Sequence, residues 1–132
     1  MNTTEFVKKF FDWIPEMKTM VEENFKNKWI EMTDGIYVIW GIGIMECIIK
    51  LLERPQENET VLKRVFEFIE QMVLWSDETK GLTFGSTFDC FWNEDHVLPA
   101  ALAFMGEETR SLWKDYQEYM RQFSLWRMSQ ME

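Results

Sequence analysis

The chain has 132 residues, a formal net charge of −9 and a composition that is 46% hydrophobic and 16% aromatic. That apolar content excludes an intrinsically disordered chain and suits one domain with a sizeable core. The acidity, with a pI of about 4.7, excludes nucleic acid and anionic membrane surfaces as electrostatic partners.

Six glycines and three prolines leave few natural breaks, which favours helices. In the first segment Thr3 or Thr4 is the expected N-cap, and Phe6, Val7, Phe10, Phe11 and Ile14 follow at helical spacing. Pro15 ends or kinks that helix and starts the next, where its missing N–H costs nothing. Met17, Met20, Val21, Phe25 and Trp29 mark the second helix, with Lys18, Glu22 and Lys26 toward water.

"TDG" at 33–35 is a break, and a third helix is expected from Ile36 to Arg54, apolar on nearly every side. Glu46 and Lys50 interrupt it, so its uncharged run is too short to span a bilayer. Gly41 and Gly43 each lower helix propensity by roughly 1 kcal/mol, which close approach of a neighbouring helix would offset. "RPQENE" is a polar loop with Asn58 as the candidate cap. The fourth helix, Glu59 to Trp75, carries the stripe Val61, Leu62, Val65, Phe66, Ile69, Met72 and Val73, with Lys63, Glu67, Glu70 and Gln71 opposite.

Ser76 or Asp77 caps a fifth helix that runs to Trp92. Its glycines Gly81 and Gly85 predict backbone-close packing against the fourth helix. "NEDHVLP" breaks the chain, "AALAFM" forms a short helix ended by Gly106, and Glu107 and Glu108 open the last helix, where its dipole favours acids. Leu112, Trp113, Tyr116, Met120 and Phe123 form its buried face. Trp29, Trp40, Trp75, Trp92 and Trp113 all fit core positions. Leu125, Trp126 and Met128 either complete the core or form an exposed apolar patch.

The chemistry-bearing residues gather in "FDCFWNEDH" at 88–96, which holds the only histidine. A nucleophilic site would need Cys90 with His96 as its base and Asp89 or Asp95 to orient it. No oxyanion motif accompanies them. Cys47 and Cys90 show no CxxC spacing and read as buried free thiols, with their mutual approach left open. Zinc spacing, a di-iron ligand set and a phosphate-binding glycine loop are all lacking, so neither a metal nor another cofactor is expected. "MNTTEFVKKFF" is not a signal peptide.

Charge is unevenly placed. Between Glu57 and Glu108 stand eleven acids against three bases, whereas residues 1–50 carry eight against six. Acid pairs recur at helix starts or the loops before them, where they both cap helices and meet a partner.

"FVKKFFDWIPEMK", "EFIEQMVLWSDETKGLTFGSTFDCFW" and "LPAALAFMGEETRSLWKDYQEY" resemble, in that order, small all-helical bacterial proteins with uncharacterised domains. Related families occur among immunity proteins of polymorphic toxin systems. The resemblance implies a cytoplasmic binder rather than an enzyme, and carries no catalytic residues.

The reading is one all-α domain spanning 1–132, with six or seven helices in antiparallel hairpins, stacked as a bundle or short HEAT-like array. The expected function is non-enzymatic binding of a basic protein, such as a toxin, through Asp77, Glu78, Asp89, Glu94, Asp95, Glu107 and Glu108. One alternative is an enzyme or ligand site near Cys90 and His96. Another is an oligomeric scaffold held through the Trp126 region.

Overall fold

In the computed structural model, which describes residues 1–131, every regular element is helical. The first helix, α1 (Thr3–Trp13), is capped by Asn2 rather than by Thr3 or Thr4. The Asn2 side chain accepts from the Glu5 N–H at 2.9 Å, and the two threonines already lie inside the helix. Pro15 opens a 3₁₀ turn, Pro15–Met17, which feeds α2 (Lys18–Asn27).

Three long rods follow. The first joins α3 (Ile36–Val38), a π-helical stretch (Ile39–Ile44) and α4 (Met45–Leu52). The second is α5 (Glu59–Trp75), and the third joins α6 (Asp77–Leu82), a π stretch (Thr83–Thr87) and α7 (Phe88–Asn93). Short turns set each rod antiparallel to the one before it, so the first and third run parallel and touch, with α5 packed against both. Then come a 3₁₀ turn (Asp95–Val97), α8 (Leu98–Phe104) and α9 (Glu107–Gln130).

The caps show how side chains set these turns. Ser76 accepts from the Thr79 N–H at 3.1 Å and starts α6. Asn58 stands at the N-cap position of α5 but makes no side-chain bond to that helix. Its amide instead donates back to the Leu51 and Arg54 carbonyls, closing the end of α4.

Glycines split into two kinds. A Cβ on Gly41 would meet the Ser86 hydroxyl of the third rod, and one on Gly43 would enter the Phe25 ring of α2. These are the close approaches that the first rod needs. Gly81 and Gly85 do the opposite of what their spacing predicts: both are exposed, with nothing within 4 Å of a Cβ. They do not pack against α5, because Thr79, Leu82 and Thr83 supply the buried face of that rod.

The two π stretches face each other. Trp40, fully buried, donates its indole N–H to the Thr87 hydroxyl at 2.7 Å. The π geometry disturbs the local carbonyl ladder, and side chains take up its acceptors. Asn24 donates to the Gly43 carbonyl at 2.9 Å, and the Cys90 thiol points at the Gly41 carbonyl at 3.6 Å.

The core is aromatic. Trp40, Phe6, Phe10 and Phe68 meet largely edge to face at 5.2–6.1 Å. On the other side, Phe84 and Phe88 of the third rod pack on Trp113 and Tyr116 of α9. Two of the five tryptophans expected in the core lie outside it. Trp29 is 89% exposed, with a positive φ of 59°, and Trp92 is 42% exposed although it still packs on Trp113 and Tyr116.

Candidate acidic groove

The parallel first and third rods leave a groove of about 660 Å³ between them. Helical spacing along α4 and its C-terminal cap brings Glu46 and Glu53 to one wall, and α7 with its following turn brings Asp89 and Glu94 to the other. Lys28 and Lys50 are the bases at the groove, so its formal charge is negative by two. Gly41, Gly85 and Ser86 keep the walls low near the middle, and Tyr37 and Ile42, both substantially exposed, add apolar surface to the rim.

The carboxylates are fixed to different degrees. Asp89 accepts from the Tyr116 hydroxyl at 2.5 Å, which ties the groove wall to α9. Burial, followed by that bond to Asp89, pushes the Tyr116 phenol well above its ordinary range. Glu46 pairs with Lys28 at 3.4 Å. At the far end His96 Nε2 lies 3.0 Å from Glu53, and its Nδ1 lies 3.6 Å from Glu94. All of these pairs are partly exposed and contribute little to stability. Their consequence is a preformed arrangement of acceptors open to solvent.

Cys90 lies at the groove, but burial pushes its thiol up to about 11, with Asp89 and Glu94 adding to the effect. Cys47 is raised to about 11 for the same first reason, burial. Protonated thiols are poor nucleophiles, and the His96 ring is engaged by carboxylates of the groove. Both cysteines are free. Native protein should therefore react only slowly with iodoacetamide at pH 8, and rapidly once unfolded. The folded state holds these protons to higher pH than the unfolded chain does. Stability should accordingly fall as pH rises from the ordinary thiol value of 9.0 toward about 11, as urea titrations at fixed pH would show.

The seven expected partner-binding acids do not converge. Asp89 and Glu94 line the groove, and Asp95 stands exposed in the turn beyond it. Asp77 and Glu78 occupy the first turn of α6, at the opposite end of the third rod, where Glu78 lies near Met1 and Ile36. Glu107 and Glu108 open α9 beside Glu70 of α5. Glu46 and Glu53 were missed. Their signal was present as charges at helical spacing with Ile42 and Ile49 in an otherwise apolar rod.

Among the described residues, no group of three or more His, Cys, Asp or Glu side chains is placed to hold a metal ion. None of the helices among them is long and apolar enough to cross a membrane.

Residues 7–121 match the family described as a domain of unknown function, DUF7674, and the chain belongs to that family. The matched span contains every residue lining the groove and stops before Phe123 and Trp126. No curated protein and no solved structure matches the chain.

Proposed function

We propose that this member of a family of unknown function is a non-enzymatic binding protein whose groove docks a basic segment of a polypeptide. The observation that carries the reading is the placement of Glu46, Glu53, Asp89 and Glu94 on two facing walls, open to solvent and rimmed by Tyr37 and Ile42. Such walls accept lysine or arginine side chains, while the apolar rim covers their stems. Asp95 extends the acidic mouth. Asp77, Glu78, Glu107 and Glu108 lie too far along the fold to touch the same ligand and act through the long-range field that steers association.

The resemblance to small all-helical bacterial proteins, with related families among immunity proteins, supports a cytoplasmic binder, and the acidic surface supports a basic partner such as a toxin. The protonated Cys90 thiol argues for binding over nucleophilic catalysis at this place.

The test is a fluorescence-anisotropy titration with a labelled nona-arginine peptide, using nona-glutamate as the control. Binding should weaken steeply with added salt. In the Glu53→Lys/Glu94→Lys variant it should fall by roughly tenfold or more, because two acceptors become two repulsive charges. Both residues are exposed, so the circular dichroism spectrum and urea midpoint should barely change. Equal binding of the peptide by variant and parent would overturn the reading.

A further inference from the structure

The distal half of α9 is a helix without a body beneath it. Up to Tyr116 the helix packs on the core, and Met120 is half-buried, but every residue from Arg121 to Met131 is exposed. Its apolar stripe does not stop there. Thr109, Leu112, Tyr116, Tyr119, Phe123 and Trp126 follow one another at alternating steps of three and four, the spacing of a seam that a partner covers. The first three are buried, whereas Tyr119, Phe123 and Trp126 are 55%, 43% and 58% exposed. Leu125 and Met128 add apolar surface alongside them.

This segment is also the charge complement of the groove. Residues 119–131 carry Arg121 and Arg127 and no acid, in a chain whose net charge is −9. Arg121 is bound to Glu118 at 2.6 and 2.9 Å, while Arg127 has no ion-pair partner among the described residues. The lengths agree as well. The twelve helical residues 119–130 span about 18 Å, and the groove wall from Tyr37 to Glu53, which includes the π stretch, runs at most about 24 Å.

We propose that, when no other basic partner is bound, the acidic groove is occupied by the distal half of α9 from a second copy of this chain, with the two copies exchanging arms about a two-fold axis. The exchange rests on the groove reading above. Within one chain it cannot occur, because α9 is one continuous helix with no glycine or proline at which to fold back. Pairing of the two arms with each other is the competing arrangement, and it sets two arginines against two arginines. Arm in groove sets them against a surface that is negative by two. Reciprocal exchange closes the assembly at two copies and covers both apolar stripes.

Sedimentation velocity on the full chain, from low to about 100 μM, tests this over the range in which weak dimers form. A dimer is expected at low salt that dissociates as salt rises. Trp126→Asp in the arm and Glu53→Lys/Glu94→Lys in the groove should each raise its dissociation constant by roughly tenfold or more. Arg127→Glu should weaken it, and combining Arg127→Glu with the two groove lysines should restore part of the loss. A chain that stays monomeric throughout overturns the exchange. If that monomer still binds nona-arginine, the groove reading stands and only its occupant was wrong; if it does not, both fail. A dimer broken by Trp126→Asp but indifferent to the groove lysines overturns the exchange in favour of arm-to-arm pairing.

Discussion

Replacing Trp40 with alanine should destabilise the protein by about 3–5 kcal/mol, a large part of the 5–15 kcal/mol that holds an ordinary domain together. Trp40 is fully buried and is shared by several elements. Its ring meets Phe6 and Phe10 of α1 at 5.6 and 5.8 Å and Phe68 of α5 at 6.1 Å, while its N–H reaches Thr87 of the third rod. Truncation would empty the place where all three come together, and close-packed neighbours cannot collapse to fill it. Urea unfolding followed by far-UV circular dichroism measures the loss. Trp40→Phe separates the two contributions: it keeps most of the ring but removes the donor to Thr87, and about 1–2 kcal/mol should go with it. A Phe variant as unstable as the Ala variant would show that the hydrogen bond, rather than the ring, couples the rods.

The helical architecture was legible because periodicity survives in amphipathic segments. α5 was placed to its terminal residues, Glu59 and Trp75. Yet Phe68, which falls outside the apolar stripe read for α5, is fully buried. A stripe assumes one buried face, whereas α5 touches α1, α4, α6, α8 and α9 and buries more of its circumference. The π stretches left no signal. Gly41 and Gly43 read as weak points needing a close neighbour, which they have. Gly81 and Gly85, four apart, read the same way and have none, because the side chains around them turn the opposite face inward.

The groove was half legible for a related reason. Clustering by position in the chain gathered the acids between Glu57 and Glu108, but a surface is assembled across the chain. Glu46 and Glu53 come from the first rod and Asp89 and Glu94 from the third, joined by the packing of Gly41 against Ser86. Trp29 was misplaced because an aromatic at the end of a helical pattern looks like core. In the structure the chain turns through a left-handed backbone at that residue and carries its ring out to solvent.

The last helix depends on a contact that sequence spacing hides. Glu70, read as a solvated residue on α5, turns its carboxylate under the start of α9. There it accepts from the Glu108 N–H at 3.1 Å and from the Thr109 N–H and hydroxyl, each at 2.6 Å. Gly106 makes room for it, since a Cβ there would collide with that carboxylate. The residues after it complete the joint: Arg110 donates to the Leu102 and Met105 carbonyls at the end of α8, and Leu112 and Trp113 enter the core. The Thr-Arg-x-Leu-Trp run is thus helix joinery.

Glu70→Ala should therefore cost about 2–3 kcal/mol, the scale of losing several charge-assisted bonds at a helix N-terminus and leaving the buried Thr109 hydroxyl to find another acceptor. Glu70→Gln keeps an acceptor oxygen but loses the charge facing the helix dipole, and should cost roughly half as much. Urea midpoints rank the two. Hydrogen exchange locates the damage, with amides of α9 losing protection before those of α5. Uniform loss across both helices would mean that α9 is held by its aromatic face alone and that the carboxylate at its start adds nothing local.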